Sequence, residues 1–247
     1  MFFIHPNEKQ RSNHKMSIKI NNTNIVQVKY FKFLGVHVDE ELNWKMHMDK
    51  KATQISKVVG VMCKLRHFVP LRIIKTIYLS LVQSHLYYGL IIWGENEFAK
   101  NNRLNVLQKR AVRILSGSKY NSHTEPLFKR EKLLKIQELY KQKCIKLYCS
   151  IIDRKCPKFL QESIELSNTV HSYNTRNATN VYRTHQHTKF HKQLINHKLS
   201  ESWNMLSLKT KQEVKNKINP AKYVKSVFID AYSNECHIVN SYICKNN

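Results

Sequence analysis

The sequence predicts an α+β chain: a short β-hairpin region, then a mainly α-helical bundle, then an irregular basic C-terminal region. Three observations carry that prediction. Over the first 40 residues apolar side chains alternate with polar ones, the two-residue period of strands. From Met48 the spacing lengthens to three and four, the period of helix faces, and it holds to about residue 153. After Pro157 the aliphatic periodicity fades into a stretch rich in Asn, Thr and His. The chain therefore divides into residues 1–44, 45–160 and 161–247.

Taken in order, Phe2-Phe3-Ile4 reads as a short apolar strand followed by a polar turn. Ile18 and Ile20 share one side, Asn21-Asn22 makes a turn, and Ile25, Val26 and Val28 resume, which is a hairpin signal. Phe31 and Phe33, then Val36 and Val38, flank Leu34-Gly35, predicting either a second strand pair or one strand bent at the glycine. Asp39 is placed as a turn or cap residue before the first helix, with Glu41 and Asp49 near that helix's amino end, where negative charge is favourable. Met48, Ala52, Ile55, Val59 and Met62 follow a 4-3-4-3 spacing and form its inward face. Lys50, Lys57 and Lys64 repeat every seven residues on another face.

Pro70 ends that helix or precedes the next. The second helix is expected over about 71–90. Ile74, Tyr78, Leu81 and His85 share a face, and Ile73, Ile77, Leu79 and Val82 fill the other sides, so burial is expected almost all round. A third helix over about 103–115 turns Leu104, Leu107, Ala111 and Ile114 inward and leaves Lys109, Arg110 and Arg113 off that stripe. A polar break follows at 116–124. The fourth helical region, about 126–153, has Ile136, Leu139 or Tyr140, Cys144, Leu147 and Ile151 as its seam, with Leu133-Leu134 in a short turn before it. Beyond Pro157 the signals are a weak helix at 188–199, an apolar return at 203–206, and an amphipathic segment at 221–232 carrying Tyr223, Val227 and Phe228.

Composition narrows the partner. Lys and Arg number 42 against 17 Asp and Glu, for a formal charge of +25. Such a charge attracts polyanions and opposes self-association at low salt, which makes nucleic acid the default partner. Three Trp, twelve Tyr and ten Phe argue against disorder along the whole length. The six cysteines form no close C-x-x-C pair, and Met1-Phe2-Phe3-Ile4 is too short an apolar region for a signal peptide. A reducing intracellular setting, nucleus or cytoplasm, is expected. The apolar run at 89–93 is far short of a membrane span, so no membrane partner is expected.

The stretch "KYFKFLGVHVDEELNWKMHMDKKATQISKVVGVMCKLR" resembles the downstream part of reverse transcriptases from jockey-type non-LTR retrotransposons. The resemblance continues through "IYLSLVQSHLYYGLIIWGE", "LNVLQKRAVRIL" and "HTEPLFKREKLLKIQELY", reappears at "HSYNTRNA", and is faint at "SWNMLSLKTK". It implies that Phe33, Leu34 and Gly35 form the hairpin that ends the palm and holds the primer strand. It further implies that the helices after them are a thumb gripping the template–primer duplex, RNA–DNA or DNA. On physical grounds, a glycine between strands lets backbone approach a ligand, and a lysine stripe meets phosphates without reading bases. Lys50, Lys57 and Lys64, with Lys109, Arg110 and Arg113, are the candidate phosphate contacts.

The family's chemistry is RNA-directed DNA synthesis, with magnesium ions held by a palm Asp and an aromatic-x-Asp-Asp turn upstream of the hairpin. Here Glu8 is the single acid before Phe33, and the sequence contains no Asp-Asp pair. The expectation is a partial reverse-transcriptase-like protein, without fingers and most of the palm, that holds no cofactor and does not polymerise alone. The alternatives are a non-catalytic basic module that contacts duplex phosphates, and a protein-interaction remnant. Asp39, Glu40, Glu41 and Asp49, or Glu95 and Glu97, are poor candidates for a metal site. So are His185, His187, His191 and His197, and Cys236, His237 and Cys244, whose spacings lack the short regular pairs of structural zinc. Tyr87, Tyr88 and Trp93 fit either base stacking or the core.

Overall fold

The structure is a computed structural model, and it describes residues 18–94, 103–165, 167, 180–183, 194–217 and 219–232. Two short antiparallel hairpins come first. Strands β1 (Lys19–Ile20) and β2 (Thr23–Asn24) pair across Asn21-Asn22, both at positive φ. Strands β3 (Tyr30–Phe33) and β4 (Val36–Asp39) pair with Phe33 opposite Val36 and Tyr30 opposite Asp39. Leu34 and Gly35 form a two-residue turn at φ +45° and +81°, so this region is a strand pair and not one bent strand. Left-handed backbone at both turn positions matches the twist of the flanking strands. At Leu34 it costs about 1 kcal/mol, because Cβ crowds the following carbonyl. The Tyr88 hydroxyl donates to the Leu34 carbonyl and fixes the turn. The alternation that predicted these strands does not bury them. Residues 18–34 are exposed throughout, and Val36 is the strand residue that reaches the core.

Asp39 joins the hairpin to the bundle. Its Oδ1 accepts the Asn43 N–H at 2.9 Å and its Oδ2 the Trp44 N–H at 2.8 Å, turning the chain into α1 (Lys45–Leu65). The α1 inward face holds the five predicted residues, with His47 added. Pro70 begins the next helix: α2 (Leu71–Ile77) runs through a π-helical segment, Tyr78–Gln83, into α3 (Ser84–Tyr87). Gly89, at φ +63°, then reverses the chain into α4 (Leu90–Trp93).

Here the predicted face is corrected. The buried row is Ile74, Tyr78, Val82 and Leu86, four residues apart at every step, while Leu81 is exposed. In an ordinary α-helix such a row drifts about 40° per step. The wider π turn holds more residues and brings the row back to one side. Thr76, Ser80 and Ser84 each turn a hydroxyl onto a carbonyl one turn back, which competes with the α-helical bonds. Nor is this helix buried almost all round, since Ile73, Leu79 and Leu81 are exposed.

Helix α5 (Arg103–Leu115) matches its predicted bounds and buries Leu104, Leu107, Ala111 and Ile114 against α1. The expected fourth region is two helices, α6 (Glu125–Glu131) and α7 (Ile136–Ile152), separated by Lys132 at φ +54° and the buried Leu133-Leu134. Gln108, buried on α5, locks that junction. Its Nε2 donates to the Leu134 carbonyl at 3.0 Å, and its Oε1 accepts the Ile136 N–H at 3.0 Å. Short α8 (Lys158–Gln161) follows. Then α9 (Ile195–Asn204), α10 (Leu208–Asn216) and α11 (Pro220–Asp230) add regular structure where little was predicted.

Helix α7 is the wall between two hydrophobic clusters. Ile136, Leu139, Tyr140, Cys144 and Ile151 face the larger one, built with α1 to α5. Ile145 and Tyr148 face the smaller one, with Trp203, Val214 and Val224 from α9 to α11. The Tyr148 and Trp203 rings lie 4.3 Å apart. Leu147 of the predicted seam is half-buried and packs against the larger cluster, while its neighbour Tyr148 turns to the smaller one.

Candidate nucleic-acid interface

The β3–β4 register sets Lys32 opposite His37, on the hairpin that leans on α1. The first turns of α1 bring Lys50 and Lys51 to the same place. Lys50 Nζ lies 3.4 Å from His37 Nδ1 and 5.4 Å from the centre of the Tyr30 ring. Lys51 Nζ lies 5.8 Å from the centre of the Tyr88 ring. Phe33 is 60% exposed and Leu34 75%, and Tyr30 and Phe31 are exposed beside them. Gly35 is packed closely: a Cβ there would meet the Tyr88 ring at 3.4 Å. The surface thus interleaves cations with exposed aromatic rings, the pairing that meets phosphates and bases.

Its electrostatics are one-sided. Among the described residues, no ion pair joins Lys32, Lys50 or Lys51 to a carboxylate. The ion pairs lie elsewhere: Lys75 and Arg130 with Glu131, Lys135 with Glu125, Lys155 with Asp153. Burial, then Lys50, Lys32 and Lys51, push His37 below its ordinary pKa. Burial and Lys32 lower Lys51, and burial and Lys51 lower His85. His47 sits under the patch, wholly buried. Its Nδ1 accepts the His37 backbone N–H at 3.2 Å, which places the ring proton on Nε2, an atom with no hydrogen-bond partner. Burial, then Lys51 and His37, push its pKa down to about 4.

The predicted site residues fall in different places. Phe33, Leu34 and Gly35 form the hairpin tip, and Lys50 meets the hairpin directly. Lys57 and Lys64 are exposed farther along α1, so the stripe runs about 21 Å from Lys50 to Lys64 at 1.5 Å per residue. Lys109 lines a separate depression of about 450 Å³ with His123, Glu125 and Lys135, and Arg110 is exposed beside it. Arg113 is half-buried, and its Nε donates to the Ser122 carbonyl at 2.8 Å, tying down the loop after α5. Of the three aromatic candidates, Tyr88 joins the hairpin surface. Trp93 is fully buried and its Nε1 donates to the Tyr88 carbonyl, and Tyr87 lies under the Lys143 ammonium at 3.6 Å.

Sequence reasoning missed Lys32, His37, His47 and Lys51. The signal was available for Lys32 and His37: choosing the two-residue turn at Leu34-Gly35 puts them opposite each other. Of the other candidates, Asp39 accepts the Asn43 and Trp44 N–H groups in the turn before α1, and Asn43 Nδ2 donates to Glu41. His197 meets Arg183 at 3.0 Å in a hollow with Glu162 and Glu165. Phe2 to Ile4, Glu95, Glu97, His185, His187, His191, Cys236, His237 and Cys244 lie outside the described residues. Among the described residues, no group of three His, Cys, Asp or Glu is placed to hold a metal ion, and no helix is long and apolar enough to cross a membrane. No protein-family model, curated protein or solved structure matches the chain.

Proposed function

We propose that this chain grips the phosphate backbone of a nucleic-acid duplex, RNA–DNA or DNA, with the β3–β4 hairpin and the exposed face of α1. The observation that carries this reading is the group Lys32, Lys50 and Lys51, unpaired with carboxylates among the described residues and flanked by exposed Tyr30, Phe31 and Phe33. Each phosphate neutralised releases condensed counterions, so the logarithm of the binding constant falls linearly with the logarithm of salt. The test is a salt titration of binding to a mixed-sequence RNA–DNA hybrid. The native chain gives a steep negative slope. Lys50, Lys57 and Lys64 replaced together by Gln reduce it by about 0.9 for each phosphate no longer neutralised. An unchanged slope in the triple variant shows that these lysines are only solvated surface.

The resemblance to jockey-type reverse transcriptases gives this surface a setting: primer-holding hairpin and thumb in a protein of RNA-directed DNA synthesis. Two-metal nucleotide transfer needs carboxylates to hold the ions. Before Phe33 the chain offers Glu8, and it contains no Asp-Asp pair. With template–primer, magnesium and nucleotides, the 247-residue chain binds the duplex and leaves the primer unextended. Incorporation by this chain alone would show that it assembles a metal site from other acids.

A further inference from the structure

The contact between His37 and Lys50 has a chemical consequence for a bound phosphate. A lysine ammonium has donors and no acceptor. At 3.4 Å, Lys50 Nζ therefore donates into the Nδ1 lone pair of His37, and that bond requires the imidazole to be neutral. On the other side of the same residue, the backbone N–H of His37 is committed to His47 Nδ1, so the two histidines are held 6.1 Å apart between ring centres. The charged and titratable groups that face His37 are Lys32 from β3, and His47, Lys50 and Lys51 from α1. Asp39, two residues along its own strand, is occupied by the Asn43 and Trp44 N–H groups.

We propose that His37 and Lys50 form a proton-closed phosphate clamp. A phosphodiester oxygen enters between Nζ and Nδ1 and takes over the Lys50 donor. The freed Nδ1 lone pair takes one proton from solvent, and the resulting N–H donates to the same oxygen. One Lys–His hydrogen bond is exchanged for two charge-assisted ones, and the site gains one positive charge as it gains the anion. Without the anion, a protonated His37 faces three lysines with no compensation, and burial with those lysines pushes its pKa down. The clamp rests on the proposed grip surface and adds a regulation to it: duplex binding takes up a proton at a named atom.

The experiment uses the whole chain and a fluorescently labelled RNA–DNA hybrid, with affinity measured against salt at about pH 8 and about pH 5.5, a range that brackets the ordinary histidine pKa. At the lower pH the native chain binds about tenfold tighter, the gain for displacing one pKa by one unit. Its salt slope is unchanged, because the added charge meets the phosphate that Lys50 already neutralises. H37Q keeps an acceptor for Lys50 and cannot gain charge. It binds like the native chain at the higher pH and loses the added affinity at the lower pH. K50Q has a shallower slope at the higher pH, where His37 is not charged in its place. If H37Q retains the full pH gain, the proton goes to another histidine and the clamp is overturned. If the native chain binds with no salt dependence at either pH, the grip surface itself is wrong, and the clamp falls with it.

Discussion

At the scale of the residue, the most constrained side chain in the candidate site is His47. It is wholly buried, and its neutral form is required because Nδ1 must accept the His37 N–H. Its folded pKa of about 4 lies below the usual 6.5. Above pH 6.5 the side chain is neutral in both the folded and unfolded chains and has no effect on stability. As pH falls below that value the unfolded chain binds a proton that the folded chain refuses, so stability is lost between pH 6.5 and about 4. The loss amounts to about 2 kcal/mol after allowance for solvent screening. Denaturant unfolding at several pH values measures it, compared between the native chain and H47Q. The native chain loses more stability than the variant across that window, and equal losses would place the titrating group elsewhere. The clamp experiment at its lower pH stays above the folded pKa of His47, so His47 is not the group that titrates in it.

At the scale of the element, the legible parts were those where a single period and a single face sufficed. Helices α1 and α5 carry their apolar residues on one stripe against one neighbour, and the inward residues Met48 to Met62 and Leu104 to Ile114 were readable from spacing alone. Reading failed where the backbone leaves the ordinary period. Between Ile74 and Leu86 the i+4 row stays buried because the π segment changes the residues per turn, and spacing by threes and fours selected Leu81 in place of Val82. On α7 the seam read from spacing is the side that meets the larger cluster, and what spacing did not show is the second buried side, Ile145 and Tyr148. In the candidate site the cations on one helix were visible, since Lys50, Lys57 and Lys64 share a period. Lys32 and His37 depend on a cross-strand register, and Lys51 on the position of Tyr88, 37 residues away in sequence.

At the scale of the whole molecule, the question is whether the helices after residue 194 are an appendage or part of one cooperative unit. Ile164 and Phe228 touch both hydrophobic clusters, and α7 walls both. The end of α11 enters the larger cluster through Tyr232. Its ring lies 6.4 Å from Phe128, its hydroxyl accepts the Lys135 N–H at 3.1 Å, and its carbonyl accepts from Lys129 Nζ at 2.8 Å. Gln142 on α7 donates to the Ala221 carbonyl at 2.7 Å. Cavities in shared walls are felt on both sides, because close-packed interiors relax only in part. Trp203 is the largest side chain of the smaller cluster, with no exposed surface. Replacing it by Ala costs about 3–5 kcal/mol. Trp93 lies in the larger cluster, likewise buried, and half-buried Trp44 packs against it, so the fluorescence that remains without Trp203 reports that side of α7. In Trp203→Ala the unfolding midpoint read from that fluorescence therefore drops with the stability of the whole, and it coincides with the midpoint read from helical circular dichroism, as one transition requires. A fluorescence midpoint that stays where it is in the native chain, while part of the helical signal melts earlier, would show instead that α9 to α11 fold apart from the bundle that carries the hairpin and its lysines.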